Sequence, residues 1–343
     1  MLPAYDVVIV TYHHAETLSA CLNAVAALVP VPARVVVVDN GSDDGSAALA
    51  AGFAERLPLR LLRQDENLGF AAAFNLGFAV CSSPWVLSLN PDCAPRPDHV
   101  ARLLEGAMAA GGERIGSLTG LLWRARGPDL EQEPLLDAAG MVVTPSGRHL
   151  DRGASERDGE RFEHRAWVFG GTAAATLYRR QALEDVAYQD GQVMAESFFA
   201  YREDAELAWR LQWRRWRCLF VPRAQAVHRR GLRPEMGRAD QPLVNLHSVK
   251  NRFLLRWHCA DLGWHLACFP SWLLRDLVVV AACLTVEASS LPGLLALWRW
   301  RHDARARRAW VLGRATASPH EVRHWFRRGG RVEPLAERAT PAP

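Results

Sequence analysis

The chain has 343 residues, 49% of them hydrophobic and 23% charged, so it can bury a large core and carry an appendage or second unit. A formal net charge of only +4 excludes a polyelectrolyte binder, and no nucleic-acid partner is expected. Lys250 is the lone lysine; the arginine bias suits phosphate groups, because the guanidinium fork bonds two oxygens at once, although a GC-rich genome gives the same bias.

Residues 6–11 (Asp-Val-Val-Ile-Val-Thr) form a short β-branched apolar run, most simply a buried parallel strand. Residues 16–28 have helical spacing, with Leu18, Leu22, Val25 and Leu28 on one face, and Pro30 and Pro32 close that helix. Residues 34–38 predict a second strand, followed by a Gly/Ser/Asp turn from Asn40 to Ser46 and an Ala-rich helix to about Arg56. A third strand at 59–63, a turn at Asn67-Leu68-Gly69, a helix at 70–80 and a fourth strand at 85–89 complete the alternation. Such a βαβαβαβ pattern implies a doubly wound, mainly parallel sheet.

Beyond it the periodicity weakens. Residues 111–165, richer in Gly, Pro and charge, predict loops and short strands that can form an acceptor lid. Residues 169–178 are again strand-like, Glu203 to Arg215 helical, and Arg217 to Pro222 strand-like. From 253 to 300 the chain is dense in Leu, Val and Trp, but Arg275, Asp276 and Glu287 keep every apolar stretch below the ~18–20 residues of a membrane span. Trp298, Arg299, Trp300 and Arg301 lead into the cluster Arg305-Ala306-Arg307-Arg308. Apolar helices flanked by Trp and Arg suit a membrane surface; a subdomain packed on the core, or a homodimer contact, is the other reading. The seven cysteines form no CxxC pair and their number is odd, which predicts a reduced protein without a disulfide framework. No basic segment followed by an apolar one opens the chain, so no signal peptide is visible and a cytoplasmic location is expected.

Several polar residues sit where an open α/β sheet binds ligands, beyond its strand ends. Asp39 can accept hydrogen bonds from a ribose or base, or simply cap a turn. The first strand runs into Thr11-Tyr12-His13-His14 without a glycine, so a dinucleotide loop is missing. The small residues of Asn67-Leu68-Gly69 admit a ligand closely, or serve helix–sheet packing. Asp92, in Asn90-Pro91-Asp92, is an oxygen ligand for Mg²⁺ or Mn²⁺ bridging a diphosphate, or part of an Asn-Pro-Asp turn. Glu203-Asp204 opens a helix, where one acid can deprotonate a hydroxyl or both can be ordinary first-turn acids. His228 can ligate the metal or merely pack.

In this order, Val10-Thr11-Tyr12, Val38-Asp39-Asn40-Gly41-Ser42-Asp43-Asp44-Gly45-Ser46, Asn67-Leu68-Gly69-Phe70, Leu89-Asn90-Pro91-Asp92, Gly170-Gly171-Thr172 and Phe198-Phe199-Ala200-Tyr201-Arg202-Glu203-Asp204 resemble glycosyltransferase family 2, and its rhamnosyltransferase-like branch, over residues 5–260. The resemblance implies an α/β GT-A fold, Rossmann-like, with a mainly parallel sheet flanked by helices. The C-terminal helices are then an appendage. It also implies inverting transfer from a nucleotide-diphosphate sugar, with dTDP-rhamnose, or failing that another UDP- or GDP-sugar, the expected donor, to a saccharide or lipid-linked acceptor in envelope polysaccharide synthesis at the inner face of the membrane.

By family role, Thr11, Tyr12 and Asp39 hold the nucleotide, with Glu16, Asn67, Gly69 and Asn90 as further donor contacts. Asp92 and His228 bind Mg²⁺ or Mn²⁺, Asp204 is the catalytic base and Glu203 its neighbour at the acceptor. Asn90 stands where the family motif has its first Asp. The expected units are a glycosyltransferase domain at 1–250 (nucleotide-sugar half 1–110, acceptor half 111–250), a helical region at 251–330 and a disordered tail at 331–343. A non-catalytic sugar-nucleotide-binding scaffold and a sugar nucleotidyltransferase are the alternatives; the latter needs a Gly-rich basic phosphate loop that the N-terminus lacks.

Overall fold

A computed structural model describes residues 2–111, 114–157, 159–230 and 242–335. The first ninety or so residues alternate as the apolar periodicity requires: β1 (Tyr5–Thr11), α1 (Ala15–Ala26), β2 (Arg34–Asp39), α2 (Ser46–Ala51), β3 (Leu59–Arg63), α3 (Phe70–Ala79) and β4 (Trp85–Leu89). Only α2 is clearly shorter than its Ala content predicts; Gly52 follows it directly. The strands pair in the order β3-β2-β1-β4, all parallel. The order in which the chain adds strands reverses between β1 and β4, and in open α/β sheets this is the crevice that takes ligands. Both faces of β1 and β2 are buried, which explains their unbroken Val/Ile runs.

After β4 the sheet becomes mixed. A short β5 (Cys93–Pro95) and α4 (His99–Ala110) lead to β6 (Ile115–Arg126), β7 (Glu131–Ala138), β8 (Met141–Val143), β9 (His149–Asp151), β10 (Ala166–Val168) and β11 (Ala175–Arg179). The chain continues through α5 (Arg180–Val186), α6 (Glu203–Trp213) and β12 (Arg217–His228). β11 lies antiparallel between β4 and β6, and β6 runs parallel to β12.

Residues 111–165 contain expected short strands, β8 and β9, but differ from expectation in also holding a twelve-residue central strand, β6. The glycines that read as loop residues are packing residues. A Cβ on Gly120 would stand 2.1 Å from the Ala224 carbonyl oxygen, and one on Gly116 2.6 Å from Trp216. The 169–178 run also divides, with β10 ending at Val168 and β11 beginning at Ala175. The connecting turn carries backbone that the site uses.

The C-terminal part is helical: α7 (Pro242–Cys259), α8 (Leu262–Ala267), α9 (Ser271–Thr285), α10 (Leu291–Gly313) and α11 (Pro319–Arg323). α7 runs through the expected boundary at residue 250 and packs on α6 and α10, so no linker separates the helical region there. Nor does order end at Gly330. β13 (Glu333–Pro334) adds an edge strand to β10, and Glu333 pairs with Arg217 at 2.6 Å and His324 at 2.6 Å. The rest of the expected disordered tail, 336–343, lies outside the described residues.

Candidate active site

At the crevice, Thr11 and Asp39 stand opposite each other in the β1–β2 register. Both are buried, and Thr11 Oγ1 and Asp39 Oδ1 have no hydrogen-bond partner. Leaving a buried polar atom unpaired costs about 1–3 kcal/mol, so these atoms fit a ligand that supplies the partner. The preceding turn is tied down from the β2–α2 loop. His13 N–H donates to Ser42 Oγ (3.1 Å), His14 N–H to Ser46 Oγ (3.1 Å) and Ala15 N–H to Asp44 Oδ2 (2.9 Å). Tyr12 stays exposed and stacks on His13 at 4.1 Å.

The remaining nucleotide-side candidates are engaged with protein. Asn67 Oδ1 accepts from Asn40 Nδ2 (2.8 Å) and from Gly69 N–H (2.9 Å), a turn-forming role. Gly69 has φ +85°, and a Cβ there would lie 2.5 Å from the Phe199 ring. Its nearest neighbour is thus the loop before Glu203 rather than an open cleft. Glu16 forms an ion pair with Arg229 at 2.8 Å.

The Asn-Pro-Asp turn follows β4. Asn90 N–H donates to Ala174 O (3.0 Å), and Cys93 N–H returns to Asn90 O (3.1 Å). β5 then pairs with β12, Cys93 opposite His228, and this register brings Asp92 and His228 together. His228 Nε2 lies 3.3 Å from Asp92 Oδ1 and 3.4 Å from Asn90 Nδ2. Its Nδ1 contacts Asp137 Oδ2 at 2.8 Å, Asp137 Oδ1 accepts from Arg230 Nε (2.8 Å), and Arg230 reaches Asp151 at 2.5 Å.

Burial would lower the basicity of His228, but Asp92 and Asp137 override it and push the imidazole up to about 10. Burial alone would raise Asp92 and Asp137; His228 beside each holds both below the usual carboxylate range. Asp137 lies on β7, in a stretch with no motif. Only the fold reveals it.

Glu203 and Asp204 open α6 after a backbone that ordinary residues rarely adopt. Phe199, Tyr201 and Arg202 have φ of 65°, 71° and 74°. Such left-handed conformations at non-glycine residues cost free energy and persist only where the surroundings enforce them. α7 does so here. Asn251 Nδ2 donates to the carbonyls of Phe198, Ala200 and Tyr201 at 2.9, 2.8 and 2.7 Å, and Lys250 Nζ to that of Ser197 at 2.5 Å.

Asp204 is half-buried and accepts Ala173 N–H (3.3 Å) and Ala205 N–H (2.7 Å), whereas Glu203 is buried with Oε2 unpaired. Burial and the nearby Asp151 carboxylate raise Asp204 to about 6, against the pull of its backbone donors. Burial and then Asp204 raise Glu203 well above its ordinary value. The 173–174 turn joins the two acidic sites. Ala173 N–H holds Asp204, and the next carbonyl, Ala174 O, holds Asn90 N–H.

Residues 6–116 match the family model "Glycosyl transferase family 2". An N-acetylglucosaminyl-diphospho-decaprenol L-rhamnosyltransferase of Mycobacterium tuberculosis is 29% identical over 310 residues, 84% of this chain and 95% of that one. The chain is a glycosyltransferase, similar to family 2 over residues 6–116.

Two solved structures share the GT-A fold of this glycosyltransferase. A Pyrobaculum calidifontis mannosyltransferase, in complex with GDP-Man and Mn²⁺, aligns with a TM-score of 0.52 at 16% identity over 92% of this chain and 86% of its own. TarS 1–349 of Staphylococcus aureus, in complex with UDP-GlcNAc, aligns with a TM-score of 0.52 at 17% identity over 90% and 89%. In this glycosyltransferase no single described helix is long and apolar enough to cross a membrane. α9 and the segment 288–313 form an apolar pair bent by 111°.

Proposed function

We propose that this glycosyltransferase moves rhamnose from dTDP-rhamnose to a lipid-linked saccharide in envelope polysaccharide synthesis, by one inverting displacement. The mycobacterial relative's name supports the sugar and the acceptor class. What supports the chemical reading is a half-buried carboxylate, raised to about 6, that is bonded to the 173–174 turn, which also holds Asn90 of the Asn-Pro-Asp turn carrying Asp92. A base with that affinity for protons is ionised near neutral pH yet still basic enough to accept one. Asp204 takes the acceptor hydroxyl proton as that oxygen bonds the anomeric carbon. The bond from that carbon to the diphosphate oxygen breaks, and nucleoside diphosphate leaves. Glu203, buried beside it, is raised by burial and by the Asp204 charge and lines the site without taking the proton.

Thr11 and Asp39 receive the nucleoside through their unpaired oxygens, with Tyr12 exposed beside them. Asp92 and His228 hold Mg²⁺ or Mn²⁺. Among the described residues no three His, Cys, Asp or Glu side chains gather as a complete cage. Two protein ligands completed by substrate phosphates are what such ions ordinarily use. When bound, the metal neutralises charge on the departing diphosphate. Its binding requires a neutral Nε2, and Asp137 keeps the remaining proton on Nδ1. Residues 1–250 supply this site, and α7 onward supports it from behind.

The apolar C-terminal helices leave Leu266, Leu274, Leu277, Leu284 and Trp298 exposed, a surface that suits peripheral contact with the membrane carrying the acceptor. Incubation of the full chain with a panel of nucleotide sugars and a prenyl-diphosphate N-acetylglucosamine tests the reading. Release of dTDP with a rhamnosylated lipid is expected. Release of pyrophosphate supports a nucleotidyltransferase instead, and donor binding without turnover on any acceptor supports a scaffold.

A further inference from the structure

A group of arginines beside Asp204 has no role in the chemistry above. Arg148 precedes β9, Arg202 precedes Glu203, Arg252 and Arg256 lie on α7, and Arg275 lies on α9. Their charges converge. Arg202 is acted on by Arg252, Arg148 and Arg256, with Asp204 as the opposing acid, and Arg252 by Arg275, Arg256 and Arg148, with Asp276 opposing them. Arg202 Nη1 lies 3.2 Å from His149 Nδ1, and a Cβ on Gly147 would stand 2.9 Å from Arg256 Cδ. The β8–β9 hairpin, the strained loop and α7 are therefore packed together around these side chains.

Compensating acid is scarce. Among the described residues, the one carboxylate paired with any of the five is Asp276, held by Arg256 at 2.5 Å. Arg252, only 8% exposed, has Nη1 buried without a partner, and Arg275 Nε is likewise unpaired. Burial, then the neighbouring cations, lowers Arg202 to about 9; burial first, then Arg275, lowers Arg252 to about 10. Buried cations without counter-charge are costly, and an anion among them relieves desolvation and mutual repulsion together. Guanidinium forks match phosphate oxygens in pairs. The cluster grades from buried Arg252, through half-buried Arg202 and Arg275, to exposed Arg148, so it opens to solvent.

The surroundings narrow the ligand. α9, which carries Arg275, exposes Leu274, Leu277, Val278 and Leu284. An anion site flanked by the base on one side and apolar helix on the other fits an amphiphile with a diphosphate head. We propose that Arg148, Arg202, Arg252 and Arg275 bind the diphosphate of the lipid-linked acceptor, its saccharide reaching Asp204 and its hydrocarbon lying along α9. This rests on the lipid-linked acceptor proposed above. The donor also carries a diphosphate, but Asp92 and His228 are placed for that one.

The test uses the full chain, a prenyl-diphosphate N-acetylglucosamine, and an alkyl N-acetylglucosaminide without the diphosphate. Arg275→Gln and Arg148→Gln change side chains that are not fully buried, so they spare the core; Arg275→Lys checks charge without the fork. The acceptor KM for the diphosphate lipid is expected to rise about tenfold or more, and the wild type's preference for it over the alkyl glycoside to collapse. A rise confined to the donor KM, or equal losses on both acceptors, overturns the proposal. Wild-type transfer to neither acceptor sinks the functional reading instead. Calorimetry with inorganic pyrophosphate in EDTA then still judges the arginine site: binding weakened by Arg275→Gln supports it, and no binding by the wild type refutes it.

Discussion

Asp204 and Glu203 are adjacent acids with different surroundings, and the difference underlies the separate roles proposed for them. Asp204 has two backbone donors and is half-buried, whereas Glu203 is sealed with an unpaired oxygen. Asp204→Asn is expected to lower kcat about 10²–10⁴-fold with little change in donor binding. Because the folded carboxyl is raised to about 6, kcat/KM of the wild type falls as pH drops through that value and Asp204 becomes protonated. That acid limb should vanish from the residual activity of the variant; its persistence would move the base elsewhere. Asp137 contacts His228 Nδ1 at 2.8 Å, and in the proposed metal site it would act at one remove by orienting that ring. Asp137→Asn is expected to weaken Mn²⁺ binding about 10–100-fold, measured by calorimetry with nucleoside diphosphate present. Asp92 and Asp204 stand out in the sequence because each sits in a motif at the edge of a periodic element. Asp137 has no such signal, since its partner His228 is ninety-one residues away and meets it only through the β6–β7 and β6–β12 pairings.

At the scale of elements, regular apolar alternation was legible from β1 to β4 because β1, β2 and β4 are buried on both faces and turn residues separate all four strands. β6 was not legible, because its glycines answer to Trp216 and Ala224 across the sheet, contacts that local pattern does not encode. The strained entry to α6 was hidden for a similar reason. Nothing in Phe199-Ala200-Tyr201-Arg202 requires left-handed backbone; Asn251, some fifty residues on, supplies the constraint. Asn251→Ala is expected to destabilise the fold by about 1–3 kcal/mol, since three carbonyls lose their buried donor. kcat should fall more than that stability loss explains at temperatures where the variant remains folded. Equal kcat in wild type and variant would show that α7 does not position the base.

α6 is also anchored by Glu206, which is fully buried and holds Arg210 through both oxygens, with Nε at 3.0 and 2.9 Å. Burial would raise Glu206, but Arg210 and His258 override it and bring it down to about 2. A carboxylate depressed in the fold adds stability above its unfolded value near pH 4.3, and that stability is lost as pH falls towards 2. Glu206→Gln leaves Arg210 buried without its counter-charge and is expected to cost about 3–5 kcal/mol in denaturant unfolding at neutral pH, with a smaller difference at pH 3. A difference that does not shrink with acid would show that packing, not charge, holds this pair.

Across the whole molecule, polarity is unevenly divided. The GT-A sheet is closed by helices on its faces, yet α9 buries only Cys283 among its fifteen residues while exposing leucine and valine. A contiguous apolar face is unusual on an isolated soluble surface and marks a contact. Under the acceptor site proposed above, its position next to the arginine cluster predicts that membrane contact and acceptor binding depend on the same face. Leu274→Glu with Leu277→Glu puts two like charges on the exposed face of α9 without touching the described core. Sedimentation with vesicles containing anionic lipid is expected to show loss of binding by at least about tenfold, since each burial of a leucine is worth about 1.5–3 kcal/mol. Transfer to a water-soluble acceptor should survive. Equal vesicle binding by both proteins would remove the membrane from the picture, and a concentration-dependent mass that falls to the monomer in the variant would make the same face a contact between two copies of the chain.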